Sequence, residues 1–183
     1  MVAATDKRQR ILDAARVLIL RNGRRGTSME AIAAAAEIAK PTLYAYFRDK
    51  DAVFEGLVAE LIAAIRAEFD AALSGDGDVV ARTGAALTAK HKVVAKLLAG
   101  SPHADALYGE HDRTAAPQMA ALEADIAAVV EGELVRAGIA RARSLTQVLL
   151  AASYGIGCKA KSVPELGPAI RLLVERLVGP ELR

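Results

Sequence analysis

Residues 40–50 bring together side chains that suit contact with nucleic acid. Lysine donates to guanine or to phosphate, threonine and tyrosine hydroxyls reach base edges or phosphate, and a proline ring can lie against a thymine methyl. Ala45 is small enough to let a helix approach a groove closely. We predict a DNA-binding element whose contacts come from Lys40, Pro41, Thr42, Tyr44, Tyr46 and Lys50.

Two short helices joined by a tight turn are needed to position this set. Thr27 and Glu30 stand at capping-box spacing, which predicts a helix that begins at Ser28 and ends near Ala36. A second helix is predicted from Lys40, because a proline in its first turn lacks only an N–H that would be unpaired there.

The second helix divides its residues between core and surface. Leu43 and Phe47 sit four residues apart and are predicted to be buried, which leaves the polar and aromatic groups facing outward. Such a pair of helices is a helix-turn-helix. Thr27 and Ser28, at the start of the first helix, are predicted to offer hydroxyl and N–H groups to the DNA backbone.

The segment 27–50, TSMEAIAAAAEIAKPTLYAYFRDK, closely resembles the DNA-binding motif of the TetR family of bacterial transcriptional regulators. The resemblance in motif covers residues 8–54, and the rest of the chain agrees in length and helix pattern. It implies an all-α protein with an N-terminal three-helix helix-turn-helix DNA-binding domain over 1–50 and a helical ligand-binding and dimerisation domain over 51–183. It also implies that the matching positions contact DNA: Thr27, Ser28, Lys40, Pro41, Thr42, Tyr44, Tyr46 and Lys50.

Two positions depart from the family pattern. Glu37 stands at the turn where the family usually has glycine, so we expect a positive φ that costs about 1 kcal/mol. Ala39 stands where the family usually has serine, and it cannot cap the second helix through its side chain.

The charge is distributed unevenly along the chain. Residues 1–50 hold ten Lys and Arg against five acids, whereas the remaining residues hold fourteen against seventeen. A net charge of +5 on the helix-turn-helix region, against −3 elsewhere, is typical of a phosphate-binding surface on an otherwise solvated protein.

Composition and motifs exclude other classes of protein. Cys158 is the single cysteine, so no internal disulfide can form, which suits a reducing cytoplasm. The first ten residues contain no signal-peptide pattern, and the longest uncharged stretch, 144–158, is too short to span a bilayer. No glycine-rich phosphate loop or nucleophile elbow occurs. We therefore expect a soluble cytoplasmic protein that is not an enzyme and needs no cofactor.

Helical periodicity continues beyond the helix-turn-helix. Helices are predicted over 7–21, 51–73, 79–99, 116–136 and 144–161, with a short helix or structured loop over 103–114 and a last helix beginning at Pro168. The helix within 144–161 is apolar nearly all round, and Ala151 with Gly155 forms a strip of small residues. In the resembled family the last two long helices pair with those of a second subunit, so we expect a homodimer rather than a monomer that buries these faces in its own core.

A small-molecule pocket is expected between the long helix and the helices that follow it. Its predicted lining is Ile65, Phe69, His91, Leu98, His103, Tyr108, Met119 and Leu122. Without an inward basic cluster, this lining favours an apolar or amphipathic ligand. The spacing of His91, His103 and His111 with Cys158 matches no metal-binding pattern, and we predict no metal site.

The resemblance implies a mode of control. A ligand would enter the larger domain, shift the helix over 51–73 and separate two DNA-binding heads that otherwise lie roughly 34 Å apart on a near-palindromic operator. This predicts a repressor released by a small molecule. Two alternatives stay open: a DNA-binding regulator controlled by a protein partner, which an absent or filled cavity would favour, and a helical dimerisation module without ligand response.

Overall fold

The computed structural model describes residues 2–104, 116–160 and 162–182. Over these residues the chain is helical and has no strand, which confirms the predicted all-α fold class. The helices are α1 (Val2–Asn22), α2 (Met29–Ala35), α3 (Lys40–Tyr46), α4 (Lys50–Leu73), α5 (Val79–Leu98), α6 (Ala116–Arg136), α7 (Ala142–Lys159) and α8 (Val163–Val178), followed by a 3-10 turn at Gly179–Leu182.

Most helix boundaries agree with the periodicity, but the start predicted for the last helix is wrong. α8 begins at Val163 rather than at Pro168, with Pro164 in its first turn and Pro168 inside it. The buried stripe explains the difference, because it starts before Pro168 and continues past it without a break: Leu166, Ile170, Val174 and Val178. A proline inside a helix removes one backbone hydrogen bond and crowds the preceding turn, and burial of this stripe offsets the cost.

The described residues form two compact units. The amino-terminal unit comprises the described parts of 1–60 and 98–116. Its core is one cluster to which α1, α2, α3 and the start of α4 contribute: Ile11, Leu12, Ala15, Met29, Ile32, Ala33, Ala36, Leu43, Phe47 and Val53. Close packing depends on Gly56, where an added Cβ would lie 3.0 Å from the Leu12 side chain.

The carboxy-terminal unit comprises the described parts of 61–97 and 117–183. Its core is larger and is built on long helices, with Ile65, Phe69, Leu87, Ile126 and Leu149 among its completely buried side chains. α7 and α8 pack against each other. The division into a DNA-binding domain over 1–50 and a second domain over 51–183 stays a prediction. Among the described helices, none combines the length and the apolar character that crossing a bilayer requires.

Candidate DNA-binding surface

α3 separates its two faces as the sequence predicts. Leu43 and Phe47 are buried in the amino-terminal core. Lys40, Pro41 and Tyr44 are exposed, and Tyr44 keeps 43% of its surface accessible. Two buried anchors one helical turn apart thus orient a polar and aromatic face towards solvent. Thr42 lies half-buried beside this face, and Ala45 is exposed within it.

The turn between α2 and α3 contains one residue with a strained backbone and is bound by an arginine. Glu37 has a φ of 54°, and it is the one non-glycine residue with a positive φ among those described, as expected. The Arg10 guanidinium donates to the carbonyl oxygen of Ala36 at 2.7 Å and lies 3.9 Å from the Glu37 carboxylate. Ala39 precedes α3 without a side-chain cap. The entry angle of α3 is therefore set by the turn and by Arg10.

The cap of α2 differs from the predicted one. Ser28 is the N-cap, and its Oγ accepts from the backbone N–H of Ala31 at 3.1 Å. The Thr27 side chain is buried instead, and its hydroxyl donates to the carbonyl oxygen of Gly23 at 2.9 Å. The capping-box prediction for Thr27 is therefore wrong by one residue, because Thr27 stabilises the turn that leaves α1.

Lys50 also has a structural partner. Its ammonium donates to the carbonyl oxygens of Arg24 and Thr27, both at 2.9 Å. It thereby fastens the start of α4 to the loop that follows α1. Tyr46 is half-buried and packs against the amino-terminal core. Both residues were expected to reach the DNA backbone, and the structure shows contacts through which they hold the surface together.

Lys40 is joined to a side chain that the sequence did not single out. Its Nζ lies 2.5 Å from Oε1 of Glu30 on α2, and both side chains are more than half exposed. The hydrogen bond from Lys40 lowers the pKa of Glu30, and a smaller contribution comes from the Ser28 hydroxyl. The same bond raises the pKa of Lys40, so the charged forms of both groups are favoured. Glu30 is therefore joined to the start of α3 through Lys40.

Further positive charge is exposed on the amino-terminal unit. Arg21, Arg25 and Arg48 are exposed. Arg24 is engaged elsewhere, since its guanidinium binds Asp51 at 2.8 Å and lies 4.5 Å from the centre of the Phe54 ring. The basic character predicted from the sequence thus reaches the surface through several separate side chains, which can neutralise phosphates.

The residues predicted to line a ligand pocket are divided between the two units. Ile65, Phe69 and Leu122 belong to the packed carboxy-terminal core, and Met119 packs against it. Leu98 and His103 belong to the amino-terminal unit, and Tyr108 lies outside the described residues.

His103 contacts the end of α1. Its ring would lie 3.3 Å from a Cβ added at Gly23, and its N–H donates to Oγ of Ser101 at 3.1 Å. Ser101 in turn donates to the carbonyl oxygen of Leu20 at 2.7 Å. These contacts fix the position of His103 within the amino-terminal unit.

Two surface clefts are present elsewhere. A cleft of about 380 Å³ lies between α1 and α2, where Arg10, Val17 and Ala35 contribute to its lining. A second, of about 420 Å³, lies on α7 and α8, beside Val148 and Leu177. Neither contains a residue of the predicted pocket.

The carboxy-terminal unit contains a buried lysine that the sequence analysis did not single out. The side chain of Lys90 is 5% exposed and its ammonium binds Glu123 on α6 at 2.6 Å, so one base faces inward without forming a basic cluster. His91, which was predicted to face inward, is buried, and burial, with a smaller effect of the Lys90 charge, lowers its pKa to about 3. Helical spacing from Leu87 could have indicated Lys90 as well, because positions three and four further along a helix share its face.

Metal binding was not predicted, and His111 lies outside the described residues. Within the part of the chain that the structure describes, no group of three or more His, Cys, Asp or Glu side chains could hold a metal ion.

Comparison with known proteins identifies a family that the amino-terminal region resembles. Residues 11–57 match the family model for bacterial regulatory proteins of the tetR family. No curated protein sequence matches the chain.

Solved structures agree with the fold over almost the whole chain. A TetR/AcrR-family transcriptional regulator from Thermobifida fusca YX-ER1 is 22% identical, with 92% of this chain and 96% of that one covered and a TM-score of 0.74. A transcriptional regulator from Rhodococcus sp. Rha1 is 18% identical, with 96% and 98% covered and a TM-score of 0.75. AibR, solved with isovaleryl coenzyme A and operator DNA, is 19% identical, with 94% and 98% covered and a TM-score of 0.67.

The structural similarity to these proteins shows the fold of the chain, and the family model describes its amino-terminal domain. TetR-family proteins are DNA-binding transcriptional regulators, which agrees with the prediction that the chain is not an enzyme. The amino-terminal domain of this chain therefore resembles that of the bacterial TetR-family regulators, and its fold resembles theirs over almost the whole length.

Proposed function

We propose that the chain is a sequence-specific transcriptional repressor that binds a near-palindromic operator as a homodimer and is released by a small molecule. The observation that carries the DNA-binding part is the outward face of α3, where Lys40, Pro41 and Tyr44 stand exposed on the buried anchors Leu43 and Phe47. A recognition helix with this arrangement can lie in the major groove with its N-terminal residues nearest the base edges.

The predicted DNA contacts then divide into two groups. Lys40, Pro41, Thr42 and Tyr44 are the residues that we assign to the groove. Ser28 is exposed, so it is free to approach the backbone beside the start of α2. We assign Thr27, Tyr46 and Lys50 mainly to positioning, because their polar or aromatic groups already pack against the amino-terminal unit or bind its carbonyls.

Exposed apolar surface on α7 and α8 supports dimerisation. Val148 and Tyr154 on α7 and Leu172 on α8 are each about half exposed. Ala151 and Gly155 are exposed too, and a Cβ added at Gly155 would meet nothing within 4 Å. A second copy packed on these helices would cover this surface and bring two recognition helices to one operator.

Small-molecule control is supported by a structural neighbour, since AibR was solved with an acyl coenzyme A together with operator DNA. An effector of this kind releases DNA if it binds better to the state whose heads do not fit the operator. One observation favours control by a protein partner instead. Ile65, Phe69 and Leu122 are buried within the packed core, and neither described cleft includes them.

Binding to DNA upstream of the chain's own gene tests the main proposal. Fluorescence anisotropy across a salt series would compare wild type with a Lys40→Ala/Tyr44→Ala variant. We expect salt-dependent binding that the variant weakens by roughly 30-fold or more, since it removes two contacts that are each worth about 1–3 kcal/mol. Lys96→Ala is the matched control, because it removes the same charge from an exposed position on α5. Equal loss in both variants, or no binding at low salt, would refute the assigned surface.

Two further measurements separate the remaining parts of the proposal. Val148→Glu should convert a dimer to a monomer in light scattering, whereas Val135→Glu, at a similarly exposed valine on α6, should not. Isovaleryl coenzyme A is a suitable first probe for effector release, with coenzyme A alone as its control. If no acyl coenzyme A or related amphipathic compound releases the DNA, control by a protein partner becomes the better account.

A further inference from the structure

We propose that Glu30 is a base-reading residue, and that the Lys40–Glu30 ion pair recognises a G·C base pair as a unit. This inference rests on the proposed function, because it requires that α3 enters the major groove. It adds a residue of α2 to the reading surface and states which base pair the surface prefers at one position.

The geometry places a strong donor directly beside a strong acceptor. Nζ of Lys40, the first residue of α3, lies 2.5 Å from Oε1 of Glu30 in the first turn of α2. The Glu30 carboxylate therefore lies beside the Lys40 ammonium at the start of α3, although Glu30 itself belongs to α2.

The chemistry of this couple matches the major-groove edge of one base pair. Guanine presents the acceptors N7 and O6, and its partner cytosine presents the amino donor N4–H₂ next to them. Lysine donates to the guanine acceptors, and a glutamate accepts from the cytosine amino group. An ammonium and a carboxylate in contact can therefore meet the two halves of a G·C pair together.

Exposure allows the pair to work in this way. The side chains of Lys40 and Glu30 are 54% and 59% exposed, so neither is committed to the core. An exposed ion pair contributes little to the stability of the fold, which argues against a mainly structural reason for the contact. A carboxylate on a surface that must approach phosphates is unfavourable unless it meets a donor, and cytosine supplies one.

The test is a base-preference profile measured with full-length protein. Wild type would first select its operator from a random duplex library, and each base pair of one half-site would then be replaced in turn. Affinities would be compared for wild type, Glu30→Ala, Lys40→Met and Glu37→Gln. Glu37→Gln is the matched control, because it removes one exposed acid from the same unit without touching Lys40.

We expect one G·C position at which wild type loses on the order of 10- to 100-fold when the pair is changed. Glu30→Ala and Lys40→Met should both flatten the preference at that same position and leave the other positions as they are. Glu37→Gln should keep the wild-type profile.

Two results would overturn the inference while leaving the proposed function intact. In the first, Glu30→Ala raises affinity equally for every sequence with an unchanged profile, which would make Glu30 a repulsive charge only. In the second, Glu30→Ala and Lys40→Met alter different positions. Failure of wild type to enrich any sequence would instead refute sequence-specific binding, and this inference with it.

Discussion

The two units of this protein use polar side chains in opposite ways. In the amino-terminal unit, Thr27 is the single buried polar residue among those described, and Arg10 and Lys50 bind backbone carbonyls of this unit. The carboxy-terminal unit buries several polar residues inside its helices: Thr83, Thr88, Lys90, His91, Thr146 and Ser153. The first arrangement fixes the shape of a surface. The second places groups inside a core where burial changes their energetics.

The largest expected effect tests whether the two units depend on each other. Leu43→Ala and Ile126→Ala each truncate a completely buried side chain, one in each unit, and should each destabilise their own unit by about 2–5 kcal/mol. Hydrogen exchange followed by mass spectrometry would locate the loss of protection. We expect Leu43→Ala to expose α1–α3 only, and Ile126→Ala to expose α5–α8 only.

Loss of protection across both units in either variant would contradict this expectation. In that case the two units would unfold together as one cooperative structure.

The next largest effect is a loss of stability in acid, which we expect from the buried His91 of the carboxy-terminal unit. The pKa of His91 falls from an ordinary value of 6.5 to about 3 on folding, so the unfolded chain binds the proton more readily. His91 therefore does not reduce the free energy of unfolding above pH 6.5. As the pH falls from 6.5 towards 3 the free energy of unfolding decreases, by roughly 3 kcal/mol at pH 4. Urea titrations from pH 7 to pH 4 should show this loss in wild type and a smaller one in His91→Gln. Identical pH dependence in the two proteins would show that the buried imidazole is not the cause.

Lys50 offers a smaller effect in the amino-terminal unit. Lys50→Met removes the donor for two carbonyl oxygens but keeps the length of the side chain. We expect a loss of about 1–3 kcal/mol, because charged hydrogen bonds to partly buried groups contribute in this range. Lys96→Met, at an exposed lysine on α5, should change stability by less than about 0.5 kcal/mol. If both variants have the same free energy of unfolding, the two hydrogen bonds of Lys50 do not contribute to stability.

How far the sequence predicts each unit follows from the range of its interactions. The helix-turn-helix could be predicted because its signals are local: Leu43 and Phe47 four residues apart, a proline in the first turn of α3, and a turn residue that takes a positive φ. The contacts that complete the surface could not be predicted. Arg10 meets Ala36, and Lys50 meets Arg24, across separations of 26 residues that no periodicity marks.

The carboxy-terminal unit shows the same limit in another form. Its helices were predicted from their stripes, and the bounds of α6 agree at both ends. The ligand pocket stays a prediction, because a stripe shows which residues face inward and not whether they enclose a space. Ile65, Phe69 and Leu122 do face inward, and they fill the core. Lys90 faces inward as well, against the usual preference of lysine for water.

Glu37 gives the smallest effect and the sharpest test of local strain. Its φ of 54° lies in the left-handed region, which costs a residue with a Cβ about 1–2 kcal/mol. Glycine removes this cost but gains about 0.4–1 kcal/mol of freedom in the unfolded chain. Glu37→Gly should therefore stabilise the amino-terminal unit by about 0.5–1 kcal/mol.

The control for this prediction is Glu37→Ala, which keeps the strained backbone and removes the carboxylate. Because the Arg10–Glu37 pair is 3.9 Å apart and its glutamate side chain is 87% exposed, loss of the charge alone should have almost no effect on stability. If glycine increases stability and alanine does not, the strained backbone at residue 37 is the cause of the lower stability. Equal gains would assign it to the charge, and the turn of this helix-turn-helix would then be relaxed despite its φ.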